Sequence, residues 1–578
     1  MNALPSRADV IVVGAGHNGL VAATFLARSG LDVVVVEAAQ QVGGAAKTEQ
    51  PFARVPGLSQ STGAYLLGLM PPELPRKLGV DFPVLRRDPH YFLPTTGDRY
   101  LLFGSDREAT RRQYEDFFSA ADWKADEALQ AELDLLRADL APAWLTEPLT
   151  LEETAQRYIR TELRSTFVDL CRGTVGEYLD RFGFTSDLVK AMYAVTDGLS
   201  GLDATWDTPG SGHNFLVHNM CRLPGSDGTW MVVRGGMGTV TTTIARLAED
   251  AGATIVTGRA VTSIEISDGA VRGIVLDKAD AIASENVVAA TDPFRLRQLV
   301  GASNLPASIN DKLDSWKHYG TTMKVNLALT DLPTFSCLPE RRGQHGATIH
   351  LLPQDDVLGS LKRTYAEVKA GKLADFPTIE WYIHTTVDPS LQDAGGHHSS
   401  ALFVEWVPYD IAGSSWDAER AGYVEKLLGI CDQFAPGTSD LVADTFALAP
   451  PDIEAHFGMT RGHIHHVDNA VAFVDRMPYS TGVSGLYAGG AGCHPAGSVI
   501  GAAGHNVAMR VLTDLGRTLP PTSGNMDAGL HTGSASTPTT STRKSSLRTR
   551  GCPNLHSRRP AVRSSRAGFL SWCTKTAR

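Results

Sequence analysis

No apolar run in this 578-residue chain approaches the roughly 20 consecutive residues that a membrane-spanning helix needs. The glycine-rich stretch near Gly489 comes closest and is broken by His494, so a helical integral membrane protein is excluded. Cysteine is sparse: seven residues lie scattered along the chain, with no C-x-x-C pair. That removes the redox-active dithiol of a disulfide reductase. Met1 to Arg7 leaves room for neither the apolar core of a secretory leader nor an arginine-rich transit helix. The expected location is therefore cytoplasmic. With 43% hydrophobic and 20% charged residues, the composition is that of an ordinary globular protein of several domain-sized units.

What the chain does have is concentrated at its start. Asp9 to Val13 is a short β-branched apolar run leading into Gly14-Ala15-Gly16-His17-Asn18-Gly19. This is a strand ending in G-x-G-x-x-G. Gly14 permits the tight turn, Gly16 lets the backbone approach a diphosphate, and Gly19 lets the next helix lie against the strand. Leu20 to Ala27 continues as a helix that stops at Gly30, and Val33 to Val36 forms the next strand. Glu37 closes the unit, placed to accept hydrogen bonds from a ribose 2′-hydroxyl. Gly43-Gly44 follows six residues later, and such a doublet resembles the flavin variant of the fingerprint. The expected cofactor is FAD rather than NAD.

A second strand and glycine turn, Met231 to Gly238, invites a second nucleotide site. Thr241 stands where the third glycine belongs, and Thr257-Gly258-Arg259 follows the next strand in place of an acid. Arg259 keeps an NADP reading open. The simpler reading returns this segment to the first domain, with Val261 to Ile266 and Val271 to Leu276 as a hairpin and Val287 to Asp292 as a closing strand. Asp106 to Val195 reads as a helical cap from its three- and four-residue leucine spacing, and 293–464 mixes strands and helices as an α+β substrate domain. His463, His465 and His466 invite a metal reading, but strand alternation would place them on two faces, so no metal is expected. From Pro521 onward there are ten Lys plus Arg and one acid, Asp527, in a Ser/Thr-rich segment expected to be a disordered, solvated basic tail. No nucleic-acid partner is expected, peripheral membrane contact stays open, and the oligomeric state is unassigned.

Together with Arg86-Arg87-Asp88-Pro89, Tyr65-Leu66-Leu67, Gly458 to Gly462 and Cys493-His494-Pro495, the fingerprint resembles the phytoene-desaturase-like flavoproteins. Within them the likeness is strongest to the O-type carotenoid ketolases and to the group named for a pyridine nucleotide-disulfide oxidoreductase domain. It covers roughly residues 8 to 515, and the family pattern would have Ala, Gly and Gly where Cys493, Ala496 and Ser498 stand. The resemblance implies an α/β fold: a glutathione-reductase-type FAD-binding Rossmann domain with an interleaved monoamine-oxidase-like α+β substrate domain. The segments would be 1–87, 226–294 and 471–518 for FAD, 88–225 and 295–470 for substrate, and 519–578 for the tail.

Expected cofactor contacts are Gly14, Gly16, Gly19, Glu37, Gly43, Gly44, Val261, Gly490, Ser498, Val499 and Ile500, with the helix after Gly501 directed at the flavin and His494 as the catalytic candidate. Leu66, Leu67, Leu69 and Met70 suggest a bulky apolar, isoprenoid-like substrate. The implied activity is hydride transfer from that substrate to flavin, with oxygen or a quinone as electron acceptor. Two readings compete with it, a flavin amine oxidase and a non-catalytic FAD-binding scaffold. A mitochondrial matrix location is also open by resemblance.

Overall fold

The computed structural model describes residues 4–316 and 319–519. The expectation of a disordered tail falls almost wholly outside the described residues. Two β-sheets organise the chain, and each collects strands from distant parts of the sequence.

The first sheet has five parallel strands in the order Leu486–Ala488, Val287–Ala289, Val10–Val13, Val33–Val36, Thr254–Val256. Val33 to Val36 has no polar residue because a parallel strand covered on both faces has no wet side. The helix His17–Arg28 packs against two others, Gly238–Asp250 and Ala502–Asp514. Val10–Val13 lies between Val33–Val36 and Val287–Ala289, so the connections leaving its carboxyl end and that of Val287–Ala289 diverge and open a crevice there.

Thr254–Val256 takes the free edge of this sheet beside Val33–Val36, so the second glycine turn feeds the first domain and builds no separate nucleotide fold. Arg259 is engaged by Asp277 and Asp280, with Nε 2.6 Å and Nη2 2.8 Å from their carboxylates, which counts against the NADP reading. Val287–Ala289 is an interior strand rather than a closing one, because Leu486–Ala488 pairs outside it.

The second sheet has seven strands in the order Val442–Leu448, Thr322–Leu329, His398–Glu405, Thr378–Ile383, Thr348–Leu351, Tyr91–Pro94, Tyr100–Phe103. Its pairs are antiparallel except Thr348–Leu351 with Tyr91–Pro94. Alternation divides it into two faces. Met323, Val325, Leu327, Ile349, Ile379, Trp381, Leu402 and Val404 form an apolar core on one side with the helix Trp416–Phe434. The opposite face carries Lys324, Phe403 and Glu380, which stand side by side in register on three adjacent strands.

A helical cap runs from Arg107 to His218 around its own core of Leu129, Leu133, Leu136, Phe167, Tyr178 and Phe215. One turn of it, Ala194–Leu199, is a π-helix. No helix among the described residues is long and apolar enough to cross a membrane.

Candidate active site

One cavity of about 490 Å³ runs from the glycine loop of the first sheet to the polar face of the second. At the first end, Gly14 holds φ +100°, a conformation that favours glycine, and turns the chain out of the strand. A Cβ at Gly19 would lie 2.1 Å from the Gly14 carbonyl oxygen, so only hydrogen permits the helix to approach this closely. A side chain at Gly16, by contrast, would meet nothing within 4 Å and would project into open space. That space is an anion cradle, because the amide end of the 12-residue helix His17–Arg28 opens onto it. Gly43 bridges to Gly16, and a Cβ on Gly44 would come within 3.4 Å of the Gly16 Cα.

Glu37 lines the same cavity, and its carboxylate accepts from the Ala15 and Ala39 amides at 2.8 and 2.9 Å. The acid therefore fixes the loop, with its remaining lone pairs available to a ribose. Val261, Ser498 and Val499 also line the cavity. The residues present thus fit a dinucleotide: a turn, an open glycine, a helix end and an acid meet around one crevice.

Other sequence expectations are corrected. Gly490 lies outside the lining; its Cβ would stand 2.1 Å from the Thr291 carbonyl oxygen, so its role is close packing, and Ala491 faces the cavity instead. Ile500 belongs to the core of the helical cap. The helix Ala502–Asp514 gives its Gly504 amide to Asn18 Oδ1 at 3.3 Å, which engages part of the terminus proposed for the flavin.

His494 is also outside the cavity. Its Nε2–H donates to the Ala143 carbonyl at 3.1 Å, its ring lies 5.3 Å from that of Phe473, and burial lowers its pKa to about 4. Of Leu66, Leu67, Leu69 and Met70, only Leu66 lines the cavity, because the other three are buried in the cores of the first domain and the cap. Residues 463–466 form turns rather than a strand, and the His465 ring nitrogens lie 3.0 and 2.9 Å from the carbonyls of Gly497 and Ser200.

At its other end the cavity meets chemistry that the sequence reading missed. Lys324, Phe403, Glu380, Tyr382 and Thr348 come from the sheet, Arg87 from the segment before it, and Thr196, Asp197 and Ser200 from in and beside the π-helical turn. π-turns of this kind recur at functional sites because they re-aim side chains. Burial drives the Glu380 and Asp197 carboxyls up to about 7, with the Glu380 charge adding to the shift of Asp197 while Tyr382, Lys324 and Arg87 hold Glu380 back, and burial drives the Lys324 ammonium down to about 7. Glu405, one row further along the sheet, is pushed well above the usual carboxylate range, first by burial. Glu380 accepts a hydrogen bond from the Tyr382 hydroxyl. The signal in the sequence was a charge at an alternate position of a strong strand, in Met323-Lys324-Val325 and Ile379-Glu380-Trp381. Such a charge is buried only where a partner or a ligand requires it.

Cavity, cofactor cradle and titratable floor together define a flavin-dependent oxidoreductase. The chain belongs to the flavin containing amine oxidoreductase family, whose model matches residues 19–340, and its cofactor is FAD. It is 32% identical over 551 residues to pyridine nucleotide-disulfide oxidoreductase domain-containing protein 2 of Mus musculus, covering 88% of this chain and 94% of that one. A limonene dehydrogenase component of Castellaniella defragrans is 24% identical over 547 residues, covering 88% and 95%. Among solved structures, a putrescine oxidase bound to putrescine superposes with a TM-score of 0.55 at 17% identity, covering 88% and 99%, which shows the shared mixed α/β fold. Among the described residues Cys171, Cys221, Cys337, Cys431 and Cys493 are each buried and free.

Proposed function

We propose that the protein dehydrogenates a bulky, mainly apolar small molecule of isoprenoid type, with oxygen or a quinone as the final acceptor. The observation that carries this reading is the single cavity joining the cofactor cradle to a chamber walled by Leu66, Trp230, Phe403, Met459 and Ile464. The relative named for limonene dehydrogenation supports the substrate class. Cofactor contacts would come from Gly14, Gly16, Glu37, Gly43, Gly44, Val261, Ser498 and Val499.

FAD, when bound, supplies hydride acceptance, and the protein supplies position and proton handling. Forming a carbon–carbon double bond releases a hydride and a proton. FAD held in the cradle would accept the hydride, and Glu380 is the group to take the proton. Its carboxyl titrates at about 7, and the Tyr382 hydroxyl holds one of its oxygens. The walls keep bulk water from the reacting carbon.

Amine oxidation is the second reading, favoured by the acids Glu380 and Asp197 facing the chamber and by the family model. The two are separated by mixing the oxidised holoenzyme anaerobically with cyclic monoterpenes in one series and with putrescine and benzylamine in another. Loss of the yellow flavin colour and a dehydrogenated product with the terpenes is expected. Bleaching by the amines alone would transfer the conclusion to the second reading. A flavin that resists even dithionite would favour the scaffold.

A further inference from the structure

Arg87, singled out in the Arg86-Arg87-Asp88-Pro89 motif, has no part in the chemistry above. It is 5% exposed and lines the substrate end of the cavity. Burial lowers its affinity for a proton, yet a guanidinium stays charged in proteins. Its hydrogen bonds go to neutral oxygens: Nε to the Trp230 carbonyl at 3.0 Å and Nη1 to the Thr348 hydroxyl at 2.7 Å. Among the described residues no carboxylate lies within salt-bridge distance of it, and Nη2 makes no hydrogen bond.

Lys324 repeats the pattern. It is 6% exposed and lines the same chamber, and its Nζ makes neither a hydrogen bond nor a salt bridge among the described residues. The direct contacts of the ammonium are with the faces of Tyr65 and Phe403, each centroid 4.2 Å away. Arg87 and Lys324 both oppose protonation of the same buried ring, His384, which lies 5.4 Å ring to ring from the Tyr65 that Lys324 covers. At longer range Glu405 and then Glu380 favour the charged form of Lys324, and Glu380 favours that of Arg87, but the Glu380 carboxyl is tied to Tyr382 and Glu405 accepts from the Gly201 amide.

A buried guanidinium and a buried amine without an ion pair, facing one cavity, are costly to hold charged in a protein interior unless something else pairs with them, and the amine gives up its proton readily for that reason. Each also keeps donors unspent. A cationic slot between aromatic rings, which would suit an amine, is already filled by Lys324 itself.

We propose that the substrate carries a carboxylate on its apolar body, and that Arg87 and Lys324 bind it, so that they determine specificity. This rests on the reading of the cavity as a substrate chamber and narrows the substrate to an amphiphilic acid. The carboxylate would take the guanidinium fork through Nη2 and the Lys324 ammonium as its second donor.

The test titrates the oxidised holoenzyme with sodium octanoate, octylamine and octanol and follows the shift of the flavin absorbance. Octanoate is expected to bind most tightly. Each of Arg87→Gln and Lys324→Gln should weaken octanoate by roughly 10- to 100-fold, the loss of one charge-assisted hydrogen bond, while octanol binding stays unchanged. FAD content and melting temperature report folding. Should Arg87→Gln fail to fold, because that residue also ties Trp230 and Thr348, Lys324→Gln decides alone. Octylamine binding as tightly as octanoate, or octanoate affinity untouched in the folded variants, overturns the proposal. Failure of the dehydrogenase reading looks different: octanoate still binds and is still weakened by both variants, while no terpene bleaches the flavin.

Discussion

The two ends of the cavity are built in opposite ways. The cofactor end comes mainly from one continuous stretch, Val10 to Glu37, in which a turn, a helix start and an acid follow one another along the chain. The substrate end is assembled from Lys324, Glu380 and Phe403, which meet only because the strands of the second sheet pair in a particular order, together with Arg87 from the segment before that sheet and Asp197 from the cap. A site of the first kind can be read from spacing. The second kind depends on register, and a slip of one residue would carry Lys324 and Glu380 to the other face of the sheet.

The largest expected effect tests the first end. Gly19→Val places a branched side chain where the Gly14 carbonyl already stands 2.1 Å from any Cβ. The variant should purify without FAD and lose on the order of 4 kcal/mol of stability, measured by urea unfolding of the wild type and variant apoproteins. FAD retained at the wild-type level would show that helix and strand tolerate separation.

The next effect tests the second end. Glu380→Gln keeps the shape and removes the proton acceptor, so the rate of flavin reduction should fall roughly 100-fold with FAD binding intact. Stopped-flow reduction measures this, and an unchanged rate would assign the proton to another group. In the wild type the same rate should rise as pH passes through about 7, where the Glu380 carboxyl ionises.

A smaller effect comes from outside the cavity. His494 has its folded pKa lowered to about 4, against the ordinary 6.5 of an unfolded chain. The unfolded state therefore takes up a proton first, and stability present above pH 6.5 is lost as pH falls toward 4. His494→Asn should flatten that fall in melting temperature and leave flavin reduction at neutral pH as it is. A large loss of the reduction rate would return His494 to the catalytic role first suggested by its place in the sequence.

The smallest effect belongs to Arg259→Ala. It breaks a surface pair with Asp277 and Asp280 and should leave the melting temperature nearly unchanged, with no change in the response of the flavin to NADPH.

How far the sequence could be read follows from the same contrast. Gly14, Gly19 and Glu37 were legible because each answers a local geometric demand within a single βαβ unit. The second glycine turn could be returned to the first domain because Thr241 and Arg259 break the pattern, and its strand does pair beside Val33–Val36. His494 was misjudged because nearness in sequence to Ser498 and Val499 says nothing about where a ring points, and this one turns to Ala143. Leu67, Leu69 and Met70 were misjudged because an apolar residue beside a cavity is equally at home in the core behind it. Lys324 and Glu380 stayed hidden because one charge in a strand gains meaning only when its neighbours across the sheet are known.

Both ends form one working site, and anaerobic stopped-flow reduction of the flavin probes them together. A cyclic monoterpene, then an amphiphilic terpenoid acid, would be mixed with the oxidised wild-type holoenzyme and with Glu380→Gln. The account predicts that the wild type bleaches with substrate, faster with the acid, and that the variant, equally loaded with FAD, bleaches far more slowly. Equal rates in the two proteins, or a wild-type flavin left oxidised by every terpene and reduced only by amines, would contradict it.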